Sequence, residues 1–214
     1  LDEAISFLAS TLLGRWFLCA AFFFFTVAAQ ADNHTPKAQH ELGVQYLHGH
    51  GVSQDSKRAV LLFRRAAAGA YPPALNALGE LYRHGNGVRK SARQAKRLFE
   101  RAAEQNYAPA QTNLGDVHRA SKVFGGAAHW YRLAATQGSA PGQYRLGRAH
   151  WKGEGVPTDE VRAYKWLTLA AQQGYKAAVK DRDVLAKTLT AGQIEKADGL
   201  VAQWTACFKD KRTC

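Results

Sequence analysis

The side chains with the most chemical potential in this 214-residue chain are its eight histidines. His48-x-His50, with His84 placed 36 residues after His48, gathers three imidazoles in one stretch. Imidazole ligates zinc and other borderline metals when three or four donors converge in tetrahedral fashion. No Asp, Glu or Cys completes an evident tetrahedral set here, so neither a metal nor any other cofactor is expected. Serine-based acyl chemistry would need Ser-x-x-Lys with Lys-Thr-Gly, or a Gly-x-Ser-x-Gly elbow, and none of these occurs. His-Glu-x-x-His and the P-loop are also missing. Catalysis is not expected, and no small-molecule substrate is evident.

What positions these residues is a pattern of about 36 residues written four times, a period that signals a solenoid. Leu-Gly recurs at Leu42-Gly43, Leu78-Gly79, Leu114-Gly115 and Leu146-Gly147, so the glycines are spaced by 36, 36 and 32. An aromatic residue or His follows (Tyr46, Tyr82, His118, His150), and three copies continue into Gly-x-Gly-Val. Large apolar residues then recur at Phe63, Phe99, Tyr131 and Leu167. Ala38, Leu42, Gly43 and Tyr46 fall at i, i+4, i+5 and i+8, and Ala59, Phe63, Ala66 and Ala67 at i, i+4, i+7 and i+8. These are one-faced helical stripes, so each copy is two helices. Glycine costs a helix about 1 kcal/mol relative to alanine. Four in one register mean that something packs where a side chain would sit. Gly-x-Gly can adopt the positive φ that a tight reversal needs. Ser53 or Asp55, Ser91 and Thr158 are candidate N-caps, and Asn106, Gly138 and Gly174 share the register of a left-handed C-cap.

Position for position, these repeats resemble the Sel1-like repeat family, relatives of the tetratricopeptide repeats. The resemblance implies an all-α fold, an α/α solenoid of four helix-turn-helix repeats with a C-terminal capping helix. The boundaries read as 37–73, 74–109, 110–141 (short and degenerate) and 142–178, then a cap over 179–206 and a tail over 207–214. Some cysteine-rich members of the family are associated with penicillin binding and β-lactam hydrolysis, which makes a β-lactam-binding or β-lactamase-like enzyme the alternative. Those members carry cysteines within each repeat, and residues 37–178 hold none here.

In solenoids of this kind the first helices line a concave binding surface. Off the core stripe they carry His40, Glu41, His48, Asn76, Glu80, His84, Asn113, Asp116, Tyr144, Arg145, Arg148 and Lys152, a set rich in hydrogen-bonding groups that suits an extended peptide or partner protein. The net charge is +12. The excess concentrates on the second helices of the first two copies, at Lys57, Arg58, Arg64, Arg65, Arg89, Lys90, Arg93, Lys96, Arg97 and Arg101. This candidate basic face would attract an acidic protein surface or an anionic envelope surface, lipid or cell-wall polymer. Equally, it reads as two ordinary solvated helix faces. Nucleic acid is the usual partner of such a patch, and export argues against it.

Export is read from residues 16–31, an uncharged apolar run ending in Ala29-Gln30-Ala31, as a secretory signal peptide over 1–31 does. Asp2 and Glu3 stand against a single Arg15, so a start nearer Leu12 or Leu13 suits that reading better. An uncleaved inner-membrane anchor is the lesser alternative. The expected compartment is the periplasm. At the other end, Thr190 with Gln193 reads as a capping box. The tail resembles the ends of exported Sel1-like proteins of Gram-negative bacteria. Cys207 and Cys214, the cysteines that remain after cleavage, form a candidate disulfide in an oxidising compartment and would be free thiols in the cytosol.

Overall fold

The computed structural model describes residues 35–210. The signal peptide or anchor expected within residues 1–31 lies outside them, as does Cys214. Among the described residues there are ten helices and no strand: α1 (Pro36–His48), α2 (Ser56–Ala68), α3 (Pro72–His84), α4 (Ala92–Ala103), α5 (Ala108–Ala120), α6 (Phe124–Thr136), α7 (Ala140–Lys152), α8 (Glu160–Gln172), α9 (Lys176–Ala186) and α10 (Ala191–Lys209). None of these is long and apolar enough to cross a membrane. Helices α1 to α8 pack as four hairpins, each leaning on the next, and α9 and α10 close the stack against α8. The chain is an α/α solenoid.

The glycine register is the packing device. Phe63, wholly buried, presses its ring on Gly43, where a Cβ would stand 2.6 Å from Cε1. Phe99 does the same to Gly79 at 2.5 Å, and Tyr131 to Gly115. In the last hairpin the partner is Leu167, 3.0 Å from the Cβ that Gly147 lacks. Each ring thus seats directly on the backbone of its partner helix, and the alanine pairs 66/67, 102/103 and 134/135 are buried behind it.

The turns follow from hydrogen-bonding needs. Gly49, Gly85 and Gly153 end first helices in the left-handed conformation. Asp55 and Ser91 cap the second helices that follow. In the fourth repeat the cap is Asp159, not Thr158. The chain is pinned there by the Asp159 N–H donating to the His150 carbonyl at 3.0 Å, the bond that Asp55 makes to Tyr46 and Ser91 to Tyr82, so residue 159 holds the capping position. Between repeats, Asn106, Gly138 and Gly174 all have positive φ, and so does Ala70, which completes the register without a sequence mark. The shortened third copy drops its glycine loop yet makes an equivalent return bond, Val123 N to His118 O at 2.9 Å. The Thr190–Gln193 capping box is formed in both directions. Cap helix α10 buries Ala197, Val201 and Trp204, with Trp204 edge-on to Trp166 at 6.2 Å.

Successive first helices touch one another, whereas successive second helices stand further apart. A cleft therefore opens between neighbouring second helices, with the intervening first helix as its floor.

Candidate partner-binding faces

The first-helix face is cross-tied between repeats. Asn113 Nδ2 donates to Asn76 Oδ1 at 2.9 Å. Asp116 receives Arg145 at 2.9 Å and the Tyr131 hydroxyl at 2.7 Å. Arg119 pairs with Glu154 at 2.7 Å, and Arg148 with Asp181 at 3.7 Å. Glu80 holds Arg83 at 2.6 Å and His84 at 3.3 Å, and Glu41 stands 3.9 Å from Lys37. The Arg119 guanidinium holds the Glu154 carboxyl below the usual carboxylate range. His40 is half-buried against the rings of Phe63 and Tyr71, and that burial pulls its pKa down.

Tyr144 departs from the partner-facing role assigned to it. It is 6 % exposed, packs against Tyr175 at 5.0 Å, and accepts a bond from Arg148 at 3.1 Å. Its ring fills the joint between α7 and the cap, so it cannot present a surface. His48 and Lys152 remain exposed near the ends of α1 and α7, with His48 stacked on His50 at 5.5 Å. Among the described residues no group of three or more His, Cys, Asp or Glu side chains is placed to hold a metal ion. Cys207 is engaged in a disulfide. The expected pairing with Cys214 lies outside the described residues.

The second-helix face differs because most of its cations lack counter-charges. Arg58 pairs with Asp55 at 3.3 Å and lies over the Tyr46 ring, and Lys96 pairs with Glu100 at 3.5 Å. Lys57, Arg64, Arg65, Arg89, Lys90, Arg93, Arg97 and Arg101 are exposed and form no ion pair among the described residues. Between α2 and α4 two adjoining cavities of about 460 and 270 Å³ share Arg64 and Tyr82, whose hydroxyl accepts from Arg64 at 2.9 Å. Apolar residues lie among the cations: Leu61, 55 % exposed, and Val88 in one cavity, Leu78 and Leu98 in the other. No carboxylate lines either.

Arg132, Arg162 and Lys165 lie beyond the basic face expected from Lys57 to Arg101, and line a further cavity of about 360 Å³ between α6 and α8. The signal was available in the register, since Arg132 and Lys165 each lie 68 residues after Arg64 and Arg97. Burial and the neighbouring Arg162 pull the Lys165 ammonium below its ordinary pKa, with its Nζ 4.5 Å above the Trp166 ring.

The Sel1 repeat profile matches residues 36–71, 72–107, 108–139 and 140–175. Similar solved structures include a protective antigen of uropathogenic Escherichia coli that displays an SLR fold. It is 27 % identical, with a TM-score of 0.65 over 81 % of this chain and 46 % of that one. A Sel1 repeat protein from Oxalobacter formigenes is 30 % identical, with a TM-score of 0.60 over 68 % of this chain and 62 % of that one. The chain thus spans about half to three fifths of the length of these two proteins. An immunity protein of Pseudomonas aeruginosa, 20 % identical with a TM-score of 0.55 over 86 % of this chain and 71 % of that one, shares the fold. No curated protein matches the sequence. Four consecutive repeat matches, with a helix glycine under a large side chain in each hairpin, a ring in three and Leu167 in the fourth, make the chain a member of the Sel1 repeat family.

Proposed function

We propose that the chain is a non-catalytic protein-binding module of the bacterial cell envelope, and that its partner docks in the cleft between α2 and α4. Sel1 repeat proteins in general bind other proteins. The observation that carries the choice of surface is the pair of adjoining cavities at Arg64 and Tyr82, where cations surround apolar residues and no carboxylate intervenes. Desolvated apolar anchors ringed by charge are what protein interfaces use for affinity and steering respectively. The first-helix face is the poorer docking surface, because much of its hydrogen-bonding capacity is taken by neighbouring repeats. The envelope location is supported by the apolar run and small-x-small ending of residues 16–31.

A photo-crosslinking amino acid placed at Leu61 in intact cells tests this reading. One discrete protein adduct, absent when the same group replaces exposed Lys152, is the expected result. Adducts at Lys152 alone would move the site to the first helices. Hydrolysis of a chromogenic β-lactam by the purified protein would replace the binding module with an enzyme.

A further inference from the structure

The cleft between α2 and α4 has a counterpart two repeats on. The cavity between α6 and α8 is floored by Leu146 and His150 of α7, with Trp166 and cap residue Leu200 beside them. It reproduces the smaller cavity of the first cleft: Arg132 stands where Arg64 does, Lys165 where Arg97 does, and His150 where Tyr82 does. Each wall carries three cations, Arg64, Arg97 and Arg101 in one and Arg132, Arg162 and Lys165 in the other, and no carboxylate lines either. Asp159 is close by, but it already caps the Arg162 N–H at 2.8 Å and pairs with that guanidinium at 3.4 Å. Arg132 and Lys165 have no ion pair among the described residues.

The cleft between them is different. At the register of Arg64 and Arg97 it presents Glu100 and His129, and Glu100 is paired with Lys96 at 3.5 Å. Along the second helices the sequence of clefts is therefore cationic, charge-balanced, cationic.

We infer that the two cationic clefts together hold one acidic, extended segment of a partner protein, whose carboxylates come in two clusters separated by a stretch without acidic residues. The inference rests on the reading of the chain as a protein-binding module. Two repeat steps, each at least the roughly 10 Å between packed helices, put the clefts at least about 20 Å apart, a span that needs about six or more extended residues at about 3.3 Å each. A duplex or an anionic bilayer presents charge without such a gap and would set phosphates where the Lys96–Glu100 pair leaves no net positive charge to receive them. A peptide can leave that position neutral or basic. Cavities of these sizes with apolar floors also take the methylene stems of Glu side chains. Holding both clusters on one segment makes the second contact intramolecular, so the pair binds far more tightly than either alone.

The test uses the full chain and fluorescent synthetic peptides with two Glu-Glu-Glu clusters separated by about six, eight or ten Ser and Ala residues, the best binder of the three being the split peptide compared. An isomer of identical composition with its glutamates contiguous is the control. Anisotropy is read at about 150 mM salt, where the Debye length is about 8 Å and diffuse attraction is weak. The split peptide should bind at least about tenfold more tightly than the contiguous one. Arg97→Glu and Arg132→Glu, both at exposed positions, should each remove that advantage while leaving the circular dichroism melt unchanged. Equal binding of the two peptides, indifference to either variant, or displacement of the split peptide by phosphatidylglycerol vesicles or duplex DNA would overturn the inference. An adduct at Leu61 without a split-peptide preference sinks the two-cleft inference alone. Absence of any protein adduct, at Leu61 and at Lys152 alike, sinks the binding-module reading itself.

Discussion

The ring of Phe99 occupies the space that a side chain on Gly79 would need: a Cβ there would lie 2.5 Å from Cε1 and 2.8 Å from Cδ1. Phe99 has no exposed surface and so no room to withdraw. Replacing Gly79 with alanine gains about 1 kcal/mol of helix propensity but forces an overpacked contact that costs about 1–3 kcal/mol. The clash should win. Gly79→Ala is expected to lower the thermal midpoint, and the larger Gly79→Leu to lower it further. Adding Phe99→Leu to Gly79→Ala should give less loss than the sum of the single changes, because the two residues share one space. Additive losses in that double-mutant cycle would contradict the packing.

Gly199 provides the opposite sign. It sits inside α10 with nothing within 4 Å of the position its Cβ would take. Gly199→Ala should therefore stabilise the protein by about 0.5–1 kcal/mol through helix propensity alone. Measured by the same thermal melts, a loss there would show that the cap helix packs differently.

Tyr131 serves two partners, with its ring on Gly115 and its hydroxyl donating to Asp116 at 2.7 Å. Burial first, and then the bond to Asp116, push its phenol far above the ordinary range. Tyr131→Phe keeps the ring and deletes one bond to a charged acceptor, a loss of about 1.5–3 kcal/mol. Because Arg145 still pairs with Asp116 at 2.9 Å, the lower part of that range is expected in chemical denaturation. An unchanged denaturation midpoint would mean the hydroxyl is satisfied equally well by water.

Stability should fall as the pH drops below neutrality. Burial lowers the pKa of His150, which faces Asp159, Arg162, Arg132 and Lys165, and burial also lowers those of His40 and His118. With the folded value below the unfolded value of about 6.5, the unfolded chain binds protons that the folded one resists. The contribution is therefore fully present above about pH 6.5 and is lost as the pH falls toward the folded value. Glu154, also depressed, acts in the same direction but below the unfolded carboxylate pKa of about 4.3. The thermal midpoint should drop between pH 7.5 and pH 5.5, by about 2–4 °C per kcal/mol lost, and less in His150→Gln. A flat profile across that window would contradict the burial of these imidazoles.

Much of the fold was legible because glycine inside a helix is costly enough to need a reason. Gly43, Gly79, Gly115 and Gly147 announced the hairpin contacts, and Asn106, Gly138 and Gly174 announced the inter-repeat turns. Ala70 adopts the same left-handed conformation at φ 53° and was invisible, since nothing about alanine marks it. Gln111 and Gln143 were also unreadable. Both are buried, accepting from Gln137 at 2.6 Å and Gln173 at 2.8 Å while donating to the carbonyls of Ala103 and Ala135. Polar side chains at those positions look solvent-facing until the preceding helix end is in place. The first-helix face misled for a related reason. Sequence shows that Asn76, Asp116 and Arg148 can form hydrogen bonds, but each also has a partner in a neighbouring repeat or the cap, 29 to 37 residues away. Only packing reveals that they are taken.

The most direct measurement is the yield of the Leu61 photo-adduct in cells carrying Arg64→Glu together with Arg97→Glu, with the fold of the variant verified by circular dichroism. Docking in the cleft between α2 and α4 predicts at least about a tenfold loss of adduct, as expected when close charge pairs at an interface are reversed. An adduct formed at the original yield would show that the partner does not use this cleft.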